Sequence, residues 1–210
     1  MTEVYLMKLF ESSSDVYMKM LDLVCEEKRS KLANIKISEN QLQSLTAGVL
    51  LRVVLCTYFG FINENIVFER ETNGKPYLKN KSVHFNISHS ESLVAVAVSD
   101  RDVGVDLEKT CEVNPKLTDR YFTENEKKYI NVKSPDWQTR FFEVWTKKEA
   151  ILKKSGLGLR VKLNELETDE CNTVKTFKLD GFVLSVCSED PNINIFNNEY
   201  CQTIVYKYFQ

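Results

Sequence analysis

Leu93-Val-Ala-Val-Ala-Val98, then Ser99-Asp-Arg-Asp102, then Val103-Gly-Val-Asp-Leu-Glu108 is the stretch on which the reading of the chain turns. A short apolar run bounded by turn residues reads as a strand buried on both faces. The second run follows after a few polar residues, so the pair reads as a β-hairpin whose first strand is mostly buried. Asp106 and Glu108 stand at i and i+2 on the second strand, and period-two geometry sends both side chains to one face with α-carbons about 6.7 Å apart. Two carboxylates at that spacing converge on one small cation, and hard oxygen ligands without His or Cys favour Mg²⁺. The same D-x-E pattern also describes two solvated acids at an exposed strand end.

Upstream, Met1 to Phe10 alternates like a strand. Glu39 to Phe59 places apolar residues at 42, 45, 49, 50, 53 and 54, the spacing of a helix. Ile66 to Phe68 is a short strand candidate, and Asn73-Gly-Lys-Pro76 is turn chemistry. Lys75, His89 and the Ser88 hydroxyl are of the types that hold phosphate oxygens, with loop N–H groups adding to them. Ser88 and His89 form no hydrolase triad, since the chain has no G-x-S-x-G elbow.

Downstream, Ser134-Pro-Asp136 opens a helix expected to run to about Lys154 and to stop before Gly156. Trp137, Phe141, Trp145 and Glu149 follow i, i+4 steps, which sets Glu149 beside an inward aromatic stripe. Lys153 lies one turn further on. An ordinary helix ion pair worth about 0.2–0.5 kcal/mol accounts for the two, as does a metal-binding or general-base glutamate. Asp180-Gly181 separates Thr173–Leu179 from Phe182–Cys187 as a hairpin, and Thr203–Tyr206 reads as a last strand.

The 210 residues, 43% of them hydrophobic, suffice for one large core or two small ones. With 28 basic and 30 acidic residues the net charge is −2, so no bulk field draws nucleic acid or an anionic membrane. Of these, 12 basic and 13 acidic residues precede Val105, so two halves, 1–104 and 105–210, are matched in size and charge. Seven glycines leave little room for long phosphate-binding loops, and six cysteines without a C-x-x-C pair, with two histidines, leave little for zinc. The first residues lack the basic-then-apolar order of a signal peptide, and Leu45–Phe61 contains Arg52 and is too short to span a bilayer. A cytoplasmic protein with reduced cysteines is expected.

In order and spacing, Asn73-Gly-Lys-Pro-Tyr-Leu78, Phe85-Asn-Ile-Ser-His-Ser90, Gly104-Val-Asp-Leu-Glu-Lys109 and the run Trp145–Leu159 resemble the Sfp-type 4′-phosphopantetheinyl transferases. The resemblance implies an α+β fold of two similar subdomains, 1–104 and 105–210, related by a pseudo-two-fold, each with a small, mostly antiparallel sheet packed against helices. It implies a monomer that binds coenzyme A in the cleft between them. The implied reaction moves the phosphopantetheine arm to a serine of an apo acyl, peptidyl or aryl carrier protein and releases adenosine 3′,5′-bisphosphate, with Mg²⁺, or Mn²⁺ in its place, as cofactor. Carried over by position, Asp106 and Glu108 are metal ligands, Glu149 a third ligand or the base acting on the carrier serine, and Lys153, beside Lys148, the lysine near the pyrophosphate. Gly74, Lys75 and Pro76 match the loop at the adenine and its phosphate, Ser88 and His89 a phosphate-contacting pair, and Lys28 and Lys31 basic residues near the 3′-phosphate. Tyr121-Phe-Thr-x-x-Glu126 resembles the segment that helps receive the carrier. The chain departs from the family at Ser44, four residues before Gly48, where the pattern has arginine. A non-catalytic binder of coenzyme A or carrier protein, or an unrelated Mg²⁺-dependent phosphohydrolase, are the alternatives; the retained Asp106, Glu108, Glu149 and Lys153 oppose the first and the lack of further acid clusters the second.

Overall fold

The structure, a computed structural model, describes residues 1–10, 15–24, 38–80, 82–158, 161–168 and 171–210, with the backbone alone for 15–18. Lys28 and Lys31 lie outside the described residues. Strand β1 (Thr2–Lys8) and helices α1 (Asp15–Leu23) and α2 (Glu39–Tyr58) are followed by a small ribbon, β2 (Phe68–Arg70) and β3 (Pro76–Leu78). Strands β4 (His84–Ser90), β5 (Leu93–Ser99) and β6 (Val103–Lys109) come next. Then follow α3 (Lys116–Tyr121), α4 (Glu124–Ile130), α5 (Trp137–Ser155), β7 (Val174–Leu179), β8 (Phe182–Ser188), β9 (Ile193–Phe196) and α6 (Asn198–Tyr208). This mixed architecture of small, mostly antiparallel sheets against helices agrees with the expected fold class.

Alternation along β5 explains the layering. Every residue of β5 is buried. Val94, Val96 and Val98 face a cluster that α2 supplies with Leu45, Val49, Leu50 and Val53, and α6 with Cys201, Ile204 and Val205. Leu93, Ala95 and Ala97 face Val103, Val105 and Leu107 of β6 and Leu184 and Val186 of β8. The first sheet, ordered β4-β5-β1-β9, therefore packs face to face on a second, β6-β8-β7. Helices α2 and α6 cover the outer side of the first sheet and α5 that of the second. Small Ala95 and Ala97 let the two sheets approach, since sheet stacking leaves about 10 Å between backbones. At one end the hydroxyl of Thr2 bonds those of Ser99 (2.9 Å) and Ser188 (2.6 Å), tying the sheets together.

Three local readings change. Strands β5 and β6 are not a hairpin, because they belong to different sheets. Pairing them side by side would leave the Ala95 and Ala97 face uncovered, so residues 100–102 form a corner that turns β6 onto it. The expected strand at 66–68 forms two residues later, as β2, whose Arg70 pairs with Pro76 across the Asn73-Gly74 turn. Thr203–Tyr206 is helical: Asn197 caps α6 by accepting from the Tyr200 N–H (3.0 Å), and Cys201, Ile204 and Val205 present the i, i+3, i+4 stripe that outweighs the strand preference of Ile and Val. Strand β9, which pairs in parallel with β1, brings residues 193–208 onto the first sheet. Helix α5 ends at Gly156 as expected, with φ +68°. The Asp180-Gly181 hairpin forms as read.

Gly104 fixes how α5 lies on β6. A Cβ there would stand 2.0 Å from the Ala150 carbonyl oxygen and 2.5 Å from the Lys154 nitrogen, so helix and strand touch backbone to backbone. Since those neighbours are main-chain atoms, Gly104→Ala must push α5 outward. We expect a loss of about 3 kcal/mol in denaturant unfolding, the upper part of the range for overpacking. An unchanged urea midpoint would show that α5 has slack over β6.

Candidate active site

Because Val103, Val105 and Leu107 point between the sheets, Gly104, Asp106 and Glu108 point the other way, under α5. The close crossing at Gly104 brings Glu149 and Lys153 of α5 to the same opening, which Ile87, Ser88 and His89 of β4 complete. Asp106 and Glu108 thus share a face, as the i, i+2 spacing predicts.

The polar alternation of β4 sets their orientation. Phe85 and Ile87 pack toward α2, which turns Asn86, Ser88 and Ser90 toward β6. Asn86 Oδ1 accepts from the Val105 N–H (2.9 Å), Ser88 Oγ from that of Leu107 (3.2 Å) and Ser90 Oγ from that of Lys109 (3.1 Å). Each serine then donates its own proton to a carboxylate, Ser88 to Asp106 Oδ1 and Ser90 to Glu108 Oε2, both at 3.0 Å. Lys153 does not pair with Glu149 one turn back. Its Nζ reaches Asp106 Oδ1 at 2.6 Å and Ser88 Oγ at 2.9 Å, because Asp106 is 3% exposed and needs a counter-charge more than the half-buried Glu149 does.

The charges do not balance. Burial pushes the Glu149 carboxyl above its ordinary value and the Asp106 charge adds to this, with Lys153 pulling back. Glu108 is raised in the same way, by burial first and then by Asp106. His89 is lowered, by burial and then by the Lys153 charge. Asp106 Oδ2 is buried and has no hydrogen-bond partner, which in a native interior calls for an explanation. Among the described residues no three acid, imidazole or thiolate groups close on one point by themselves. The residues nonetheless fit Mg²⁺, which takes one or two carboxylates and completes its shell with waters and phosphate oxygens.

Beside this cleft the Asn73–Pro76 turn meets the end of α5. Gly74 adopts φ +90°, and Lys75 Nζ donates to the Lys154 carbonyl (2.8 Å), while burial lowers its pKa. Lys75, Pro76, Glu149 and Lys153 line one pocket. His89 borders the acid cleft and a second pocket that holds Ser44 and Gly48.

Lys148 is not brought to the site. It is 0% exposed, its Nζ meets Glu126 Oε2 at 2.7 Å and donates to the carbonyls of Leu163 (2.7 Å) and Leu166. Glu126 Oε2 also accepts from the Thr123 N–H in a capping box, so Lys148 ties α4 to α5. Sequence reasoning missed Asn86, Ser90 and Gly104. The polar 86, 88, 90 alternation was the available signal for the first two. Replacing Lys148 with Met leaves Glu126 buried without its cation, and we expect destabilisation of about 3–5 kcal/mol. A Lys148→Met protein with the wild-type urea midpoint would place the Lys148–Glu126 pair outside the folding energetics.

Comparison with known proteins agrees with this geometry. A profile described as the 4′-phosphopantetheinyl transferase superfamily matches residues 102–204, and one described as 4′-phosphopantetheinyl transferase, N-terminal, matches 9–101. The 4′-phosphopantetheinyl transferase gsp of Aneurinibacillus migulanus is 34% identical over 71% of this chain and 63% of its own length. The 4′-phosphopantetheinyl transferase ffp of Bacillus subtilis is 30% identical over 83% of this chain and 86% of its own, and Sfp of Bacillus subtilis (strain 168) 28% over the same shares. With these matches across both halves, the acids and lysine of the motif at one cleft and its turn beside them, the chain belongs to the Sfp-type 4′-phosphopantetheinyl transferase family and is a transferase enzyme.

Proposed function

We propose that the enzyme moves the 4′-phosphopantetheine arm of coenzyme A to a serine hydroxyl of an apo acyl, peptidyl or aryl carrier protein, releasing adenosine 3′,5′-bisphosphate, with Mg²⁺ as cofactor. The observation that carries the reading is the unpartnered, buried Asp106 Oδ2 in a cleft shared by Glu108, Glu149 and Lys153. In this reading, residues 1–104, with 193–208 laid onto their sheet, form one side of the coenzyme A cleft and the rest of 105–210 the other, in a cytoplasmic monomer. Gly74, Lys75 and Pro76 hold the nucleotide end, and His89, with Lys28 and Lys31, its 3′-phosphate.

Asp106 and Glu108 hold the metal, which, when bound, neutralises charge on the diphosphate oxygens. Lys153 adds a positive charge beside Asp106 and offers it to the same oxygens. Ser88 and Ser90 keep the two acids from rotating away. Glu149 takes the proton of the carrier serine as the serine oxygen bonds to the phosphorus bearing the pantetheine arm, and the bond from that phosphorus to the bridging diphosphate oxygen breaks, the electron pair leaving with adenosine 3′,5′-bisphosphate. A carboxylate raised by partial burial is a stronger base than a solvated one, which suits that role.

Incubation with coenzyme A, Mg²⁺ and an apo carrier should raise the carrier's mass by one phosphopantetheine group. No gain with any of the three carrier classes would overturn the reading. Asp106→Ala should abolish transfer with the fold retained. Glu149→Gln should lower transfer by about 10²–10⁴ and erase the acidic limb of the pH profile, and added Mg²⁺ should not restore it. Restoration by Mg²⁺ would instead make Glu149 a ligand.

The raised Glu108 and Glu149 carboxyls also give the metal a thermodynamic readout. Just above the ordinary carboxylate range the folded protein binds more protons than the unfolded chain, so stability falls as pH rises through the raised values. Mg²⁺ should reverse that fall and raise the thermal midpoint at neutral pH. In Asp106→Asn the Mg²⁺ shift should vanish; a shift of wild-type size there would remove Asp106 from the metal site.

A further inference from the structure

The pocket on the far side of His89 differs in character from the acid cleft. Its walls are apolar, with Leu51 of α2, Phe68 of β2 and Phe85 and Ile87 of β4, and among the described residues no carboxylate lines it. Arg70 and His89 reach it from two strands and Ser44 from α2. Ile87 and His89 border both this pocket and the Asp106 cleft, so one ligand can occupy the two together. Arg70 is the one permanent cation among the described residues that line it. Its guanidinium is aimed by a bond from Nη1 to the Gly74 carbonyl (2.9 Å), in the turn that also carries Lys75. That bond uses one of five N–H donors, and the fork that remains suits the paired oxygens of a phosphate. Ser44, which lines the same pocket, brings no charge to it.

We infer that Arg70 is a specificity-determining residue that holds a phosphate monoester at the nucleotide end of the substrate, one pocket away from the diphosphate at Asp106 and Lys153. The assignment rests on the transferase reading above, which makes the monoester the 3′-phosphate of coenzyme A. Arg70 is exposed, so the contact is a charged hydrogen bond at the mouth of the pocket, open to screening by salt.

Binding of coenzyme A and of 3′-dephospho-coenzyme A to the wild-type protein, Arg70→Ala and Arg70→Gln, measured by titration calorimetry, tests it. Glutamine keeps an N–H for the Gly74 carbonyl without the charge, which separates phosphate binding from support of the turn. The wild type should prefer coenzyme A, and both variants should lose about tenfold or more of that preference, the worth of a charged hydrogen bond, while Arg70→Gln binds the dephospho form as the wild type does. Adding Ser44→Arg to Arg70→Gln should return the preference, since position 44 lines the same pocket. A preference for coenzyme A that survives in both single variants overturns the assignment alone, as does a wild type indifferent to the 3′-phosphate. A wild type that binds neither compound overturns the transferase reading and this assignment with it.

Discussion

The bonds from Asn86, Ser88 and Ser90 to the N–H groups of Val105, Leu107 and Lys109 do work that backbone carbonyls do elsewhere. Strand β6 is the edge of its own three-stranded sheet, and an edge presents a row of unpaired donors. Here side-chain oxygens from the neighbouring sheet take that row. Because those oxygens stand on every second residue of β4, they also fix the register between the two sheets. The register in turn decides which residues of β6 meet α5. A slip by one position would turn Asp106 and Glu108 into the Val4, Leu6 and Leu184 cluster and leave Val105 and Leu107 in the cleft.

The serines serve both sides of this junction at once. A hydroxyl carries one proton and two lone pairs. Ser88 uses all three, donating to Asp106 and accepting from the Leu107 N–H and from Lys153. The site is therefore continuous with the framework, and the positions of its acids are inherited from backbone hydrogen bonding. Lys153 completes the arrangement from α5, whose height above β6 is set by Gly104.

How much of this was legible in the sequence depended on the range of the signal. The D-x-E face, the end of α5 at Gly156 and the Asp180-Gly181 hairpin follow from local periodicity and turn chemistry, and all three hold. The β5–β6 hairpin misled because an alternating Val/Ala run and a short polar turn specify a strand and a reversal but not the sheet that the next strand joins. Lys148 and Lys153 sit on one helix and read alike, yet five residues' difference in helical phase sends one into the interior with Glu126 and the other to Asp106. The i, i+4 pairing of Glu149 with Lys153 yielded to a partner across the fold, which no single-helix rule contains. Strand β9 and helix α6 were misread or missed because their burial comes from residues far away in the chain.

That last element carries a consequence for how the protein is made. Strand β1 lies inside the first sheet, paired with β5 on one side and with β9 on the other. Its second partner is translated almost two hundred residues after it. Until then a growing chain exposes a hydrophobic strand edge and the surface that Cys201, Ile204 and Val205 later cover. The first sheet, although three of its four strands come from the first hundred residues, gains its fourth only with residues 193–196. Until β9 and α6 have been made, that open edge is a hazard, free to pair with other chains.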